Sequence, residues 1–594
     1  MTQPARLPRF FAALSQPRAA LWIIASATLL LAPCMLTRLS LDDYVLALKA
    51  RTDTLVPGVP GDPLWLFTFT TGDPAKNQLL MDEGVILPWW SEPGHLNSFF
   101  RPLSSLTHVL DFRAWPSSPA AMHLHSMLWY ALVLWLLFRV YRSLDGGDPK
   151  LVGLALLLFA WDDSHGQTVG WIANRNALVA VALALPALAA HHRAVSAGVR
   201  SAAWLAPLWL ALGLCAGETA LSIAAYLLAY ALCLDTRPLA RRALSLLPYV
   251  ALLLAHRGLY RVFHLGSYGS SAYHDPLREP FEFLIALGYN LPVLLSSELL
   301  VPVADAAFWG EPAMRGWLWL FCTLGLAALW PVCKPWLMRD AHTRFWAVGM
   351  VLAAIPVCAS LPGERLLLTL GIGASPLLAR LCMQFVEQTR AQQRPIVAVV
   401  VVLHVFASPL GLPLKAAAFE PVARAIDRLD ADVPRSSQLP QQSLIIINSP
   451  VTVLSSYAQL VRAVRGELRP ERELMLASAS SEISVSRRGP RELRIELEKG
   501  FLRRPEETHY RADCMRQTEQ VDLRGVRMRV ASRTSDGRPK AVDFTFAEPL
   551  ESPRYLLRAY RDGHLVPWQP PAAGAVERFP AQDFFQLVAK ELFR

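Results

Sequence analysis

The sequence predicts a polytopic α-helical membrane protein followed by a soluble α+β domain. Of the 594 residues, 53% are hydrophobic and only 18% are charged, whereas soluble proteins carry about 25% charged residues. Long apolar runs recur up to residue 412, and after Pro413 they give way to short alternating segments. We therefore expect about 11 spans in residues 1–413 and a separate domain in residues 414–594.

The first apolar run, residues 21–36, follows Arg6, Arg9 and Arg18 with no acidic residue between them. A cleaved signal peptide has a similar pattern, but residues 33–38 offer no small-residue cleavage site. The run is therefore predicted to be a retained span whose N-terminal end lies in the cytoplasm.

Residues 38–120 form a polar stretch, rich in Pro and Trp, between the first two spans. A connection this long is usually functional. Within this long first outer loop, residues 64–67 and the pair Trp89-Trp90 are predicted to anchor at the membrane interface.

Four further apolar runs follow, at about 122–140, 151–160, 171–190 and 202–234. The last is too long for one span, and Gly217-Glu218-Thr219 interrupts it, which predicts two helices with a tight turn at Glu218. Counted from a cytoplasmic start, the acidic turns at Asp43, 162–165 and Glu218 all lie on the outer face. The arginines on the inner face are Arg142, Arg193, Arg237, Arg241 and Arg242, in agreement with the positive-inside rule.

Residues 281–303 are apolar but contain Pro292 and Ser296-Ser297-Glu298. A full crossing there would place Lys334, Arg339 and Arg344 outside, so we expect a re-entrant or surface-lying segment interrupted at these residues. A seventh span begins at Ala243 and leads outward, and spans at about 317–333, 345–361, 366–383 and 396–412 bring the total to about eleven crossings, with residues 362–365 outside.

The C-terminal part begins with a predicted linker helix at 416–429. Residues 444–447 suggest a buried strand that leads into a helix at 453–464, and residues 521–530 and 542–546 alternate between apolar and polar. Asp536-Gly537 and Asp562-Gly563 are typical turn sequences. We expect an α+β domain on the outer face, with no recognisable catalytic motif.

Composition also narrows the range of partners. The net charge is +10, but the arginines are scattered at the ends of apolar runs, so nucleic acid is not an expected partner. Seven of the eight cysteines lie in or beside apolar runs without metal-ligand spacing, and Cys514 stands alone. No metal site is predicted, and no cofactor is identified.

Asp42 and Asp43 follow the first span directly. Two carboxylates at a membrane exit must lie at the bilayer surface, facing water or a polar cavity, because burial in hydrocarbon costs several kcal/mol. They are the first candidates for chemistry. The alternative is that they only end the helix and hold it at the interface.

Several short motifs occur in one order along residues 20–385. They are Phe99-Phe100-Arg101-Pro102-Leu103, Leu110-Asp111-Phe112 with Trp115 and Pro119, His123-Leu124, Leu158-Phe159-Ala160, His165, Trp171-Ile172, Arg175, Leu178, Glu218-Thr219-Ala220, Glu364-Arg365 and Gly373. This order resembles the GT-C class of polyprenol-phosphate-sugar-dependent glycosyltransferases, and within it the O-mannosyltransferases that combine transmembrane segments with tetratricopeptide repeats.

The resemblance implies an inverting transfer of sugar from a polyprenyl-phosphate donor to a glycan or protein acceptor, at the outer face of a bacterial inner membrane. In that class a carboxylate on the first outer loop is the general base, which here implies Asp43, with Asp42 beside it. Cations must stabilise the leaving lipid phosphate, and Arg101, Arg175 and Arg365 are the candidates. Asp111, His123, His165 and Glu218 complete the implied binding residues.

Each candidate has a structural alternative. The alternative role of Arg101 is to anchor the loop at lipid headgroups, and that of Glu218 is to cap a helix; each alternative has the same weight as the functional role. Arg175 lies in an apolar helix, where an unpaired charge is costly, so a functional or paired role is favoured. His123 and His125 do not share a helix face, which argues against a metal pair. His165 is most simply a polar turn residue.

The chain also departs from the family pattern. Asp162-Asp163 replaces a His-Pro pair, Gln167 replaces an acid, Gly217 replaces a lysine, and no tetratricopeptide repeats follow. The main alternative is therefore a catalytically inactive membrane scaffold or receptor that binds a partner through its outer domain. A transporter is less favoured, since the predicted spans carry few charges in their middles.

Overall fold

A computed structural model describes residues 13–16, 18–144, 148–387, 394–455 and 457–582. Arg6 and Arg9 lie outside the described residues. The chain divides into two compact units. Unit 1 contains residues 1–38, 100–263 and 276–419, and unit 2 contains residues 39–99, 264–275 and 420–594.

Unit 1 is helical. Its α-helices are Ala19–Leu31, Pro102–Ala114, Pro119–Leu144, Pro149–Ala160, Ser164–Gly170, Arg175–Ala184, Pro186–Ser196, Arg200–Leu214, Ala220–Cys233, Leu239–Val262, Pro280–Leu299, Ala304–Trp309, Arg315–Arg339, Ala341–Val357, Leu368–Glu387, Arg394–Val401 and Ser408–Ala416. Several begin with proline at the first helical position, where the missing N–H has no intrahelical partner to lose. Short 3-10 segments lie at Ala32–Leu36, Ile172–Asn174, Pro312–Met314 and Glu364–Leu366, and a π segment lies at Val402–Ala407.

Within the described residues, eight helices are long and apolar enough to cross a membrane, and three shorter apolar helices accompany them. The prediction of a multi-pass α-helical membrane protein is confirmed. The predicted pair of helices around Glu218 is also confirmed, as Arg200–Leu214 and Ala220–Cys233.

One prediction about unit 1 is wrong. The segment expected to be interrupted at Pro292 is a single continuous helix, Pro280–Leu299. Pro292 has no N–H for the carbonyl of Gly288, but the Trp319 indole N–H donates to that carbonyl (2.9 Å). Residues 293, 294 and 296–299 of the helix are also buried, so the helix continues through the proline. The helix is one of the eight long and apolar enough to cross.

Unit 2 holds the strands. In chain order they are β1 (Thr68–Thr71), β2 (Leu96–Ser98), β3 (Gly266–Tyr268), β4 (Ser443–Ile446), β5 (Arg472–Met475), β6 (Ile483–Gly489), β7 (Glu492–Leu497), β8 (Gln520–Leu523), β9 (Val526–Arg533), β10 (Pro539–Phe546), β11 (Tyr555–Arg561), β12 (His564–Pro567) and β13 (Val576–Phe579). Its helices are Asp42–Lys49, Pro74–Glu83, Glu420–Ala431, Thr452–Ser455, Ala458–Arg465 and Pro505–Thr508, with a 3-10 turn at Leu439–Gln441. The predicted C-terminal α+β fold is confirmed.

The strands form three sheets with the orders β1-β2-β3, β13-β6-β7-β10-β9-β8 and β12-β11-β4-β5. In the last sheet β4 lies parallel to both β11 and β5. The predicted alternating stretch 521–530 is two antiparallel strands, β8 and the first part of β9, joined by a turn at Arg524 and Gly525. The stretch 542–546 lies in β10, and the apolar side chains of β9 and β10 point to the buried face. Asp562 and Gly563, both at positive φ (51° and 92°), turn the chain between β11 and β12, as a two-residue hairpin loop requires.

Trp89 and Trp90 were expected at the membrane interface, and this is wrong. They are 1% and 2% exposed. The Trp89 indole N–H donates to the carbonyl of Leu476 (3.0 Å), and the Trp90 indole N–H donates to that of Glu507 (3.2 Å). The two tryptophans therefore tie residues 39–99 to the C-terminal part of unit 2, where burial of a large aromatic surface is favourable.

Candidate functional site

Asp42 and Asp43, in unit 2, are the first two residues of the helix Asp42–Lys49. Asp43 is 1% exposed, and its Oδ2 accepts a hydrogen bond from the backbone N–H of Ser40 (2.9 Å), two residues before the helix begins. Asp42 is half-buried. Leu41, directly before it, has φ 49°, a conformation that costs a bulky residue about 1–3 kcal/mol and that concentrates at functional sites.

Asp42 is held by a residue from the C-terminal domain. The Tyr457 hydroxyl donates to Asp42 Oδ1 at 2.5 Å. Burial, together with the Asp42 charge, raises the pKa of Tyr457 well above its usual value, so the hydroxyl stays protonated. The structure thus gives the two adjacent carboxylates different surroundings.

In unit 1, Arg101 and Glu218 come together. Arg101 Nε donates to Glu218 Oε2 (2.8 Å), and the Tyr260 hydroxyl donates to the other carboxylate oxygen. Burial opposes ionisation of Glu218, but Arg101 and Tyr260 outweigh it and lower its pKa. Arg101 is therefore neutralised by Glu218, as expected of a paired outer-face arginine.

Asp111 and Arg175 also come together, buried among the helices of unit 1. Both side chains are fully buried and form an ion pair, and His125 Nδ1 lies 2.6 Å from the same Asp111 carboxylate. Arg175 further donates to the Ser126 hydroxyl (2.9 Å) and to the Met122 carbonyl (2.7 Å). These contacts join three helices, Pro102–Ala114, Pro119–Leu144 and Arg175–Ala184.

The two candidate histidines are buried. His165 is 0% exposed, with Nδ1 2.9 Å from the Phe159 carbonyl and 3.0 Å from the Tyr130 hydroxyl. Burial lowers the pKa of His165, although the Asp162 charge opposes this. A neutral imidazole therefore fits the site. His123, 1% exposed, lies beside the Thr37 backbone.

Arg365 and a second cation lie in another part of unit 1. The Arg365 guanidinium stacks on the Trp171 ring, 5.4 Å from its centroid. Lys415 forms ion pairs with both Asp163 and Glu364. Burial raises the pKa of Glu364 to about 7, while Lys415 opposes the rise.

Sequence reasoning did not single out Lys415 or Tyr457. Lys415 follows the last predicted span by only a few residues. The predicted topology therefore places it on the outer face, the same face as the acidic turns that contain Asp163 and Glu364, and this shared face was the one indication that the sequence offered. Tyr457 lies 415 residues from Asp42 in the sequence, and no local pattern connects them.

Among the described residues, no group of three or more His, Cys, Asp or Glu side chains has an arrangement that could hold a metal ion. The histidines and carboxylates above are instead used in hydrogen bonds and ion pairs within the protein.

No family model matches this chain, and no curated protein sequence matches it. Among solved structures, it is similar to ArnT from Cupriavidus metallidurans bound to undecaprenyl phosphate (12% identity, TM-score 0.39, covering 77% of this chain and 90% of that one). The apo form of the same protein is similar to the same degree (12% identity, TM-score 0.40, covering 76% of this chain and 88% of that one). A third similar structure is the arabinofuranosyltransferase AftD from Mycobacteria (15% identity, TM-score 0.35). The match covers 89% of this chain and 40% of AftD.

Proposed function

We propose that this chain is a membrane glycosyltransferase that moves a sugar from a polyprenyl-phosphate donor to a hydroxyl acceptor at the outer face of a bacterial inner membrane. The observation that carries the proposal is Asp42, a half-buried carboxylate at a strained helix start just after the first span. Its Oδ1 already accepts a hydrogen bond from one hydroxyl, that of Tyr457. A carboxylate in such surroundings suits general-base chemistry on an acceptor hydroxyl.

In the proposed reaction Asp42 accepts the proton of the acceptor hydroxyl. The acceptor oxygen then bonds to the anomeric carbon of the sugar from the face opposite the phosphate. The bond between the anomeric carbon and the phosphate oxygen breaks, and the lipid phosphate leaves with the bonding electrons. The configuration at the anomeric carbon inverts.

The leaving phosphate gains negative charge and needs cations. Arg175 is committed to Asp111 inside the bundle, and Arg101 to Glu218. Arg365 is half-buried and rests on the Trp171 face, and its guanidinium can present forked donors to phosphate oxygens. We therefore assign Arg365 to the lipid phosphate and treat Arg101 and Arg175 as residues that hold unit 1 together.

A catalytically inactive scaffold is the second candidate. It is favoured by Lys415, whose charge is already balanced by Asp163 and Glu364. Asp163 lies where the family resemblance predicts part of a His-Pro pair. In this chain Asp163 therefore pairs with Lys415, a cation that could otherwise bind a phosphate.

A transfer assay separates the two candidates. The purified protein in lipid nanodiscs would receive polyprenyl-phosphate mannose first, as the resemblance suggests, and then other polyprenyl-phosphate sugars, with release of polyprenyl phosphate as the readout. We expect turnover by the wild type and a loss of about 10²-fold or more in Asp42→Asn. Asp53→Asn, which alters an exposed carboxylate of the same segment, is the matched control. No release with any donor would favour the scaffold.

A further inference from the structure

The C-terminal domain contacts Asp42 through a short segment that contains Tyr457. Tyr457 lies between the helices Thr452–Ser455 and Ala458–Arg465, which follow the parallel strand β4. The second of these helices packs against the helix Asp42–Lys49 that carries the carboxylate. Residues just beyond the carboxyl end of a parallel strand are where α/β sheets present their binding groups.

A second segment of the domain lies near the same carboxylate. The Asp42 charge contributes to the raised pKa of Tyr510 as well as to that of Tyr457, although burial is the larger cause for both. Glu506, one helical turn before Tyr510, is 5% exposed, and burial raises its pKa to about 7. Asp42 therefore lies near two buried tyrosines, Tyr457 and Tyr510, whose hydroxyls stay protonated near neutral pH.

This second segment is firmly held. The backbone N–H of Glu92 donates to the Tyr510 carbonyl (2.9 Å), and His95 Nε2 lies 3.1 Å from the His509 carbonyl. The Ser271 N–H donates to the Thr508 carbonyl (3.1 Å). All three sequence segments of unit 2 therefore meet here, which fixes the wall beside Asp42.

We propose that Tyr457 is a positioning residue for the base, so that the C-terminal domain completes the catalytic site. The inference rests on the proposed function. The hydroxyl fixes one oxygen of the Asp42 carboxylate and stabilises its ionised form, because a hydrogen bond to the charged form of an acid favours that form. A fixed carboxylate also loses less orientational freedom when the acceptor binds.

The charged and titratable groups around this pair come from several elements. They are Asp43 and Tyr44 on the helix of Asp42, Arg465 and Asp427 beside Tyr44, and Tyr510 and Glu506. All of these groups keep their side chains in Tyr457→Phe, so a change in the pH dependence of that variant reports on the Tyr457 hydroxyl.

The test uses the full chain in nanodiscs with Tyr457→Phe, which removes only the hydroxyl. We expect kcat to fall about tenfold, since the base is no longer held in one orientation. The KM for the lipid donor should be unchanged, and the acidic limb of the pH–rate profile should move upward by about one pH unit. In the Asp42→Asn background the same change should have no further effect on kcat.

Tyr555→Phe is the matched control, because it removes a hydroxyl of the same domain that bonds to the Glu548 backbone instead. A wild-type pH–rate profile and kcat in Tyr457→Phe would overturn the positioning role while leaving the glycosyltransferase proposal in place. A lower unfolding temperature with an unchanged profile would also overturn it, as a purely structural role predicts. A wild type without transfer activity would remove both proposals.

Discussion

Neighbouring residues with the same chemistry have different roles when their surroundings differ. Asp43 is 1% exposed and accepts from Ser40, whereas Asp42 is half-buried and accepts from Tyr457. The sequence favoured Asp43 as the base because it lies farther from the hydrocarbon. The geometry leads us to propose Asp42 instead, since a base must reach a hydroxyl of the acceptor.

This difference gives a prediction at the residue scale. Asp43→Asn keeps an oxygen that can accept from Ser40, so glycosyl transfer should stay within about threefold of wild type. Asp42→Asn keeps its size but loses proton-accepting ability, so transfer should fall by about 10²-fold or more. Both are measured in samples matched for folded protein. The reverse order of effects would return the role to Asp43.

A second residue-scale prediction concerns Glu364. Its pKa is raised from 4.5 to about 7 in the folded state, so the folded protein binds more protons than the unfolded chain between these values. Stability contributed by the protonated acid is present below about pH 4.5 and is lost as pH rises through 7. The unfolding temperature of the wild type should therefore fall across this window.

Glu364→Gln should flatten that dependence, because glutamine does not titrate. The free-energy difference at stake is up to about 3 kcal/mol. Glu282→Gln, which changes an exposed glutamate of unit 1, serves as the control and should keep the wild-type slope. Thermal unfolding in detergent between pH 5 and pH 8 measures all three proteins, and identical slopes would contradict the assignment.

At the scale of elements, a buried ion pair holds three helices of unit 1 in register. Arg175→Met would leave the fully buried Asp111 without its main counter-charge, and removal of one partner of a buried pair costs about 3–5 kcal/mol. We therefore expect a clear fall in the unfolding temperature of Arg175→Met, measured by thermal unfolding in detergent.

The double variant Asp111→Asn/Arg175→Met should recover part of the loss, because no buried charge remains uncompensated. Arg193→Met, at an exposed arginine in the next helix, is the matched control and should be nearly neutral. A double variant less stable than the single one would argue against the ion pair as the main source of the loss.

The helix Pro280–Leu299 bears on topology at this scale. Its Asn290 side chain donates to the Cys358 and Ser360 carbonyls (both 3.0 Å), at the end of Ala341–Val357. The carbonyl of Leu299, the last residue of the helix, lies 3.2 Å from His404 Nε2. Ser408, one turn after His404, bonds to the outer-turn residue Asp163. Both parts of this helix therefore contact residues that the charge distribution assigns to the outer face.

At the scale of the whole molecule, unit 2 is built from three segments that bond to one another, as β2 does to β3. Segments of one compact unit must lie on one side of a membrane. Four helices besides Pro280–Leu299 are candidates to cross among the described residues between 276 and 419, namely Pro312–Arg339, Ala341–Val357, Leu368–Phe385 and the first part of Pro395–Ala431. Four crossings return the chain to the side of the membrane from which it started, whereas a fifth would leave the two parts of unit 2 on opposite sides. We therefore propose that Pro280–Leu299 does not cross and lies along the outer surface.

Cysteine labelling tests this topology. Cys514 is exposed in unit 2, and the other cysteines are buried or half-buried, so an impermeant thiol reagent should label Cys514 in intact spheroplasts. In a Cys514→Ser background, Phe281→Cys and Pro302→Cys should both be labelled from outside, and Arg339→Cys only after lysis. Labelling of Pro302→Cys only after lysis would mean that the helix crosses.

Local sequence patterns are enough to specify several parts of this protein. Apolar runs of membrane length gave the helices, the interruption at Glu218 gave a helix pair, and alternation with Asp-Gly turns gave the strands of the C-terminal domain. These features follow from the periodicity of side chains and from the burial of apolar surface, which neighbouring residues specify together.

Only the tertiary structure decided which charges meet. Arg101 with Glu218, Arg175 with Asp111 and Tyr457 with Asp42 are pairs separated by 117, 64 and 415 positions in the chain. Burial of Trp89 and Trp90 inside unit 2, instead of at a membrane interface, was decided in the same way. A side chain's partner and its dielectric surroundings depend on segments that fold against it from elsewhere, so no local pattern can fix whether a charge is free for chemistry or already neutralised.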